Sequence, residues 1–290
     1  MFRQDFCVFI LSHGRAANVK TYDTIRRDGY TGKIYIVIDD LDKQQGEYIS
    51  RYGNEVLIFD KQKYIDSTDS GDNFPEHGSP VYARNAIWDL AAQVGVEYFV
   101  ALDDDYQRFE YKFDDKLKPA KKGSCEMLDA VFDSFISFLE ESGIDCVAMA
   151  QGGDFIGGAK NNSSCKSIKP IRKIMNSFFC KTSRRFEYLS KLNDDVNTYL
   201  IGGNAGKVFL TSISFSLVQG ETQQNEGGIT DLYKQFGTYV KSFYSVMYCP
   251  SFVTIKPMGD KRMRLHHSVS WNNAVPKIVR EGIRKKRDIG

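Results

Sequence analysis

The sequence lacks several features that mark common protein classes. Its six cysteines are irregularly spaced and include no Cys-x-x-Cys pair, which argues against a zinc cluster. It has no apolar run of about eighteen residues, and residues 1–6 lack the charged start and apolar stretch of a signal peptide. We therefore expect a soluble cytoplasmic protein without disulfides and without a membrane partner.

Neither sign of charge is in excess. The 39 lysines and arginines nearly balance the 37 aspartates and glutamates, which leaves a formal net charge of +2. The chain as a whole is therefore not a strongly basic nucleic-acid binder, and any contact with nucleic acid has to come from local patches. What the 290 residues do have is 42% hydrophobic content, which is enough for a sizeable core.

Short apolar runs alternate with amphipathic segments through the first half of the chain. Strands are predicted at residues 7–11, 34–38, 56–59 and 98–102, and helices at residues 16–27, 47–52 and 81–94. This order predicts an α/β fold with an open, mostly parallel sheet and helices on both faces.

The second half is less regular and predicts a smaller antiparallel region. Helices are predicted at residues 127–139 and 228–240, and strands at residues 146–149, 171–180, 207–215 and 243–248. Lysines and arginines are concentrated at residues 276–290, which predicts a basic helix or a frayed tail there.

The strand at residues 98–102 runs directly into Asp103, Asp104 and Asp105. Three adjacent carboxylates repel one another, and they are tolerated when a cation neutralises them. The triplet therefore predicts a divalent metal site, with a solvated acidic turn as the alternative. Asp104 is expected to point away from the metal, because adjacent strand residues face opposite sides.

Two further polar turns follow predicted strands. Ser12 to Arg15 come after the first strand, and Asp39 and Asp40 end the second. Ligands of open α/β sheets bind beyond the carboxyl ends of the strands. Because these turns and the acidic triplet share that edge, we expect them to form one binding site.

Taken in order along the chain, these motifs resemble those of GT-A glycosyltransferases. The matching segments are Ser12-His-Gly-Arg15, Asp39-Asp40, Ala83-Arg84-Asn85, Asp103-Asp-Asp105 as the family's DxD, Asn193-Asp-Asp195 as its xED acceptor motif, and His266-His267. A narrower set, including Phe59-Asp-Lys61 and Asn193-Asp-Asp-Val-Asn197, resembles phage enzymes linked to DNA hypermodification. The resemblance implies one catalytic domain over residues 1–290, with a nucleotide-sugar-binding half at 1–110 and an acceptor half at 111–275.

The resemblance implies a nucleotide-sugar donor, with a UDP-sugar expected, and a Mn²⁺ or Mg²⁺ ion. Such an ion neutralises charge on the diphosphate leaving group and is held by hard oxygen ligands. Asp105 is the first candidate ligand and Asp103 the second, unless Asp103 instead binds the ribose. One of the two C-terminal histidines would add a nitrogen ligand, which favours Mn²⁺; the alternative is that neither binds metal.

The donor-binding candidates share the carboxyl edge of the sheet or the helix that precedes the acidic strand. They are Ser12, Arg15, Asp39, Asp40, Arg84, Asn85, Asp103 and Asp104, and the metal candidates are Asp103, Asp105, His266 and His267. Arg84 lies one turn into a helix, which would aim its guanidinium at an anion. The plainer alternatives are a surface arginine at this position and an ordinary turn at Asp39 and Asp40.

The xED-like segment implies the acceptor chemistry. An inverting transfer needs a carboxylate base that removes the proton of the acceptor hydroxyl, and the family pattern assigns that base to Asp195. Asp194 stands where the family has Glu and is expected to contact the acceptor. The alternative for this segment is a helix N-cap.

Local basic clusters favour a DNA acceptor. They comprise Lys166, Lys169, Arg172 and Lys173, then Lys181, Arg184 and Arg185, and then the tail at 276–290, with Phe178, Phe179, Phe186, Tyr188 and Trp271 among or beside them. Basic residues neutralise phosphates and aromatic rings stack an extruded base. The phage resemblance implies a hydroxymethylated pyrimidine as that base, whereas a solvated charged face is the alternative for each cluster.

Two other functions stay open. One is a GT-A enzyme acting on a glycan, lipid or protein, and the other is a non-catalytic nucleotide or nucleic-acid binding module. A sugar nucleotidyltransferase would share the sheet, but the first strand is not followed by a glycine-rich loop bearing Arg and Lys.

Overall fold

The structure is a computed structural model that describes most of the chain. The described residues are 2–112, 125–151, 168–169, 177–220, 237, 239–259, 263–274, 279 and 281–283. Four sequence-based expectations lie wholly or largely outside them: the first basic cluster apart from the backbone of Lys169, the strand at 171–180 up to residue 176, the helix at 228–240 apart from residues 237, 239 and 240, and most of the tail at 276–290.

Strands and helices alternate in the first half of the described chain. The strands are β1 (Phe6–Leu11), β2 (Lys33–Asp39), β3 (Val56–Phe59), β4 (Tyr98–Asp103), β5 (Tyr106–Tyr111), β6 (Cys146–Ala150), β7 (Ile168–Lys169), β8 (Ser177–Lys181), β9 (Phe209–Gln219), β10 (Val253–Met258) and β11 (Arg264–Val269). The helices are α1 (Lys20–Arg27), α2 (Gln45–Tyr52), α3 (Lys61–Ser67), α4 (Val81–Gln93), α5 (Leu128–Ser142), α6 (Asp194–Asn204), α7 (Val240–Tyr248) and α8 (Trp271–Ala274). Among these described helices, none combines the length and the apolar character needed to span a bilayer.

Most strands of the main sheet run in one direction. Their order is β3-β2-β1-β4-β8-β6-β9-β5, with β7 also paired to β9. The pairs β1–β2, β1–β4, β2–β3 and β6–β9 are parallel, whereas β8 runs antiparallel between β4 and β6. β5 and β7 are antiparallel to β9, and β10 and β11 form a separate antiparallel pair. The predicted α/β fold with an open, mostly parallel sheet and a smaller antiparallel region is confirmed.

Strand β1 is buried on both faces of the sheet. Cys7, Phe9 and Leu11 face one apolar cluster, which includes α4 side chains. Phe6, Val8 and Ile10 face a second cluster, which includes α5 side chains. This alternation is the period-two geometry of a strand between two helical layers, and it explains why the sequence of β1 is continuously apolar.

The register of β1 and β4 fixes where the site forms. Leu11, the last residue of β1, pairs with Asp103, the last residue of β4, and also with Val37 of β2. The turns after β1 and β4 therefore leave the sheet side by side. This is the edge at which the sequence predicts the polar residues to meet.

The strand predicted at residues 243–248 is wrong, because this segment belongs to helix α7. Ser242 and Ser245 are buried on one side of the helix, while Phe243 and Met247 are exposed on another. That is a three-to-four-residue period, which the local run of aromatic and β-branched residues concealed. Strand β5 and the β10–β11 hairpin, in turn, were not predicted from the sequence.

Candidate active site

Thr21 of α1 makes three hydrogen bonds to the acidic turn between β4 and β5. The Thr21 hydroxyl donates to the carbonyl oxygen of Asp103 at 2.6 Å and accepts from the Tyr106 amide at 2.9 Å. The Thr21 amide also donates to the carbonyl oxygen of Asp104 at 3.1 Å. These bonds hold the backbone of the turn against α1.

The carboxylate of Asp104 points into the protein. It accepts from the Ser12 hydroxyl at 2.6 Å and from Nη1 of Arg15 at 2.7 Å, and the residue is 3% exposed. Burial raises the pKa of Asp104 despite these two contacts. The Tyr48 hydroxyl completes the cluster, lying 2.7 Å from the Ser12 hydroxyl and accepting from the Arg15 amide at 2.9 Å. Ser12 and Arg15 therefore hold the acidic turn through Asp104, on the side that faces the interior of the protein.

Asp105 has a different environment. Nε2 of Gln219, at the end of β9, donates to both carboxylate oxygens at 3.1 Å. Burial and the negative charge of Asp103 together raise the pKa of Asp105 to about 6, because a neutral amide compensates little charge. The environment of Asp105 is therefore one that a bound cation would stabilise.

The acidic turn fits a hard divalent cation by its chemistry. Asp103 and Asp105 offer carboxylate oxygens, the ligands that Mg²⁺ and Mn²⁺ prefer. Burial first, and then the charge of Asp103, raise the pKa of Asp105, so its ionised form is costly without a cation. Within the described part of the chain, no group of three or more His, Cys, Asp or Glu side chains forms a site ready to hold a metal. The assignment of Asp103, Asp105 and a histidine to a metal stays a prediction.

A cluster of ion pairs lies at the end of β2. Asp39 lies 2.8 Å from Nδ1 of His13 and 3.3 Å from Nζ of Lys61. Burial would raise the pKa of Asp39, but these two partners outweigh it and lower the pKa. The hydrogen bond to Asp39 raises the pKa of His13. Asp40 is exposed at the same edge, where its carboxylate accepts from the Lys61 amide at 2.9 Å.

Arg84 joins two distant carboxylates. Its Nη2 donates to Oδ1 of Asp103 at 3.1 Å, and its Nη1 donates to Oδ2 of Asp194. The Arg84 side chain is 3% exposed, and its guanidinium lies over the ring of Phe178, 5.1 Å from the centroid. Burial lowers the pKa of Arg84, but the charges of Asp194 and Asp103 outweigh it and raise the pKa. In this structure Arg84 is a buried link between carboxylates, not the surface arginine of the alternative interpretation.

Asn85 follows Arg84 in α4, and its side chain binds the backbone of Tyr188 in the segment before α6. Its Nδ2 donates to the carbonyl oxygen of Tyr188 at 2.9 Å and to Oγ1 of Thr68 at 3.0 Å. Its Oδ1 accepts from the Tyr188 amide at 2.8 Å. These contacts occupy both ends of the Asn85 amide and hold the backbone that leads to α6.

Asp194 and Asp195 open helix α6. Both are buried, at 5% and 9% exposure. Burial raises the pKa of Asp194, and the neighbouring negative charges add to that effect against the opposing charge of Arg84. Asn193 precedes them with a φ of 56°, in the left-handed region, and its side chain makes no capping bond to the helix. The N-cap alternative is therefore wrong for the Asn193 side chain.

The Asn193 side chain instead ties α6 to the C-terminal elements. Its Nδ2 lies 3.1 Å from three acceptors: the carbonyl oxygen of Lys241, the hydroxyl of Ser245 and Nδ1 of His267. Because an amide nitrogen only donates, Nδ1 of His267 accepts in this contact. The His266 ring lies 4.2 Å from the His267 ring, centroid to centroid. The β10–β11 hairpin thus brings both histidines to the residue before the two aspartates.

The structure gathers the predicted residues in one region through side chains that sequence reasoning missed. The missed residues are His13, Thr21, Tyr48, Lys61 and Gln219. His13 lies inside the Ser12–Arg15 motif and Lys61 inside the Phe59–Lys61 motif, so both could have been found. Nothing local marks Thr21, Tyr48 or Gln219, because each acquires its partner through tertiary packing.

The sequence was compared with protein-family models. Residues 6–228 match the TET-Associated Glycosyltransferase family. The chain belongs to this family. It is a glycosyltransferase, and the resemblance predicted from its motifs is confirmed. The match covers β1 to β9, whereas α7 and the histidine hairpin lie beyond it.

Comparison with solved structures finds other sugar-transferring enzymes at low identity. A glucosyl-3-phosphoglycerate synthase from Mycobacterium tuberculosis, in complex with Mn²⁺, UDP and phosphoglyceric acid, is 10% identical over 91% of this chain and 86% of its own, with a TM-score of 0.46. A mannosyltransferase from Pyrobaculum calidifontis, in complex with GDP-Man and Mn²⁺, is 10% identical over 86% of this chain and 74% of its own, with a TM-score of 0.48. No curated protein matches the sequence.

Proposed function

We propose that this glycosyltransferase moves a sugar from a nucleotide-sugar, most simply a UDP-sugar, to a hydroxymethylated pyrimidine of DNA, with inversion and with a divalent cation, in the cytoplasm. Membership of the TET-associated family supports the DNA acceptor. The observation that carries the proposal is the Arg84 contact, which connects Asp103 at the end of the acidic strand with the carboxylate of Asp194 in α6. Donor chemistry and acceptor chemistry would therefore take place beside one another.

The donor half follows from the sheet edge. Asp103 and Asp105 would hold Mn²⁺ or Mg²⁺, which supplies positive charge to the departing diphosphate. Asp39, Asp40 and His13 surround the end of β2 and would contact the base or ribose of the nucleotide. Ser12 and Arg15 would act mainly by holding Asp104, and through it the acidic turn.

The acceptor half depends on α6. Asp195 would take the proton of the acceptor hydroxyl while that oxygen attacks the anomeric carbon from the face opposite the leaving nucleotide diphosphate. Asp194 is bound to Arg84, so we assign it to positioning and to acceptor contact. His266 and His267 lie on the same side as Asn193, and either would complete the metal site from there.

The burial of α6 carboxylates sets a condition on the acceptor. Asp194 and Asp195 are both less than a tenth exposed. A base paired within a duplex cannot bring its hydroxymethyl group to such a site, so the target nucleotide has to leave the stack. The proposal therefore requires base extrusion or a single-stranded acceptor.

Mass spectrometry of modified DNA tests the proposal. The protein is incubated with hydroxymethylcytosine or hydroxymethyluracil DNA, Mn²⁺ or Mg²⁺ and a panel of nucleotide-sugars, and the DNA is digested to nucleosides. We expect a mass gain of one sugar residue on the hydroxymethyl base with one donor, and none with Asp195→Asn. Donor hydrolysis without any mass gain on DNA would refute the DNA acceptor and favour a glycan, lipid or protein. An Asp195→Asn variant as active as the wild type would refute the assignment of the base.

A further inference from the structure

The segment before α6 contains two residues in an unfavourable backbone conformation. Ser190 and Asn193 have φ values of 75° and 56°, and they are the non-glycine residues with positive φ in the described part of the chain. Such residues persist where the surrounding structure holds them, and they cluster at functional sites. Because Asn193 directly precedes Asp194, the contacts that hold this segment also set where α6 begins.

The loop at residues 68–80, between α3 and α4, holds this segment through its backbone. The Ser190 amide donates to the carbonyl oxygen of Asp69 at 2.7 Å. The Lys191 amide donates to the carbonyl oxygen of Ser70 at 3.0 Å. The left-handed Ser190 therefore lies directly against the loop.

Lys191 is a buried lysine to which the proposed chemistry assigns no part. Its side chain is 3% exposed, and its Nζ lies 2.6 Å from Oδ1 of Asp72. The same Nζ lies 3.4 Å from the carbonyl oxygen of Glu76 and 5.4 Å from the centroid of the Phe74 ring. A lysine is almost never fully buried unless it is paired, so the carboxylate of Asp72 is what allows Lys191 to lie here.

Asp72 also binds α7. The Tyr244 hydroxyl donates to Oδ2 of Asp72, whereas Lys191 contacts the other carboxylate oxygen. Helix α7 in turn binds the Asn193 side chain, whose Nδ2 lies 3.1 Å from the Ser245 hydroxyl. The loop, α7 and the segment before α6 each contact the other two through these side chains.

We propose that Lys191 and Asp72 are positioning residues for sugar transfer. Together they hold the left-handed segment before α6 and so fix the carboxylates with which that helix begins. The inference rests on the proposed function, which assigns Asp194 and Asp195 to the acceptor. A misplacement of about 1 Å at a reacting group can lower turnover by about 100-fold, so the loss of this hold should appear in kcat.

The double variant Lys191→Met/Asp72→Asn tests this role. Removing one partner of a buried ion pair leaves a stranded charge, whereas removing both does not. The urea midpoint of the double variant should therefore lie close to that of the wild type and above that of Lys191→Met. We nevertheless expect its kcat for transfer to hydroxymethylcytosine DNA to fall by about 100-fold, because the left-handed segment has lost its side-chain anchor. The affinity for UDP in the presence of Mn²⁺, measured by calorimetry, should stay at the wild-type value.

Glu110→Gln on β5 is a matched control for the loss of a buried ion pair. Glu110 is 2% exposed and pairs with Arg108 at 2.6 Å and with Lys112 at 2.8 Å. This substitution should lower the urea midpoint and leave kcat unchanged. If Lys191 and Asp72 contributed only to stability, the double variant would have the kcat of the wild type, because its stability is restored.

The outcomes separate this inference from the proposed function. If the wild type glycosylates DNA and the double variant does so equally fast, the positioning role is refuted and the function stands. A parallel loss of kcat and of UDP affinity would also refute the role, because the damage would then extend to the donor side. If the wild type transfers no sugar to DNA, the DNA acceptor is refuted, and kcat for hydrolysis of the donor, with water as the acceptor, becomes the measurement. A loss of hydrolysis in the double variant at unchanged UDP affinity would then support the positioning role, and an unchanged rate would refute it.

Discussion

Replacement of Arg84 by methionine tests the link between the two halves of the site. The substitution leaves Asp194, with a side chain 7% exposed, and Asp103, 23% exposed, without their shared cation. Removing one partner of a buried ion pair costs about 3–5 kcal/mol, and most of it should come from Asp194, because water solvates it least. Loss of the cation–π contact with Phe178 adds up to about 2 kcal/mol. We expect urea denaturation at pH 7 to show a strongly lowered midpoint.

A double-mutant cycle shows whether the cost arises from this pair. Asp194→Asn removes the stranded charge, so Arg84→Met/Asp194→Asn should recover at least half of the stability lost by Arg84→Met. The coupling free energy should be about 2 kcal/mol, within the range found for contacting residues. Arg84→Lys keeps the positive charge but cannot contact both carboxylates as the planar guanidinium does, so we expect an intermediate loss of stability. A coupling free energy below about 0.5 kcal/mol, together with weakened UDP binding by Arg84→Met, would contradict the proposed link between Asp103 and Asp194. It would indicate that Arg84 binds the diphosphate of the donor instead.

Three further predictions concern the rest of the site. Asp105→Ala should lower Mn²⁺-dependent turnover of the donor by about 100-fold or more, whereas Gln219→Ala, which only releases Asp105, should cost about 10-fold; equal losses would contradict this order. Asp39 raises the pKa of His13, so this pair stabilises the fold fully below pH ~6.5 and less as the pH rises through the folded-state pKa. The urea midpoints of His13→Gln and of the wild type should therefore differ most near pH ~6 and converge above pH ~8. A difference that stays constant with pH would refute this role of the pair. The free energy of unfolding of Asn193→Ala should be about 1–2 kcal/mol lower than that of Asn193→Gly, because glycine adopts a φ of 56° without strain and alanine does not. Equal urea midpoints of the two variants would argue against that strain.

The sequence was a good guide where structure is set locally. β1, β2 and β4 are short apolar runs that end on polar residues, and their parallel pairing brings those ends together without further information. The acidic triplet and the Ser12–Arg15 turn could therefore be placed at one edge in advance.

The partners of individual side chains could not be predicted in the same way. Arg84 and Asp194 are 110 positions apart, and only the tertiary structure decides that the guanidinium meets a carboxylate. Gln219 reaches Asp105 because β9 lies beside β5 across 114 positions. The contacts of Asp104 with Ser12 and Arg15 depend on the turn after a different strand.

The shared guanidinium of Arg84 has a consequence for how such enzymes change over time. A chain in which α6 and its surroundings are exchanged keeps both ion pairs of Arg84 only if the incoming segment supplies a carboxylate at position 194. Recombination between relatives, or a chimaera made in the laboratory, would otherwise remove the Asp194 contact of Arg84 and leave its contact with Asp103 in place. Under the proposed assignment, the donor side and the acceptor side of the site would therefore be inherited together, through one residue that we expect to touch neither substrate.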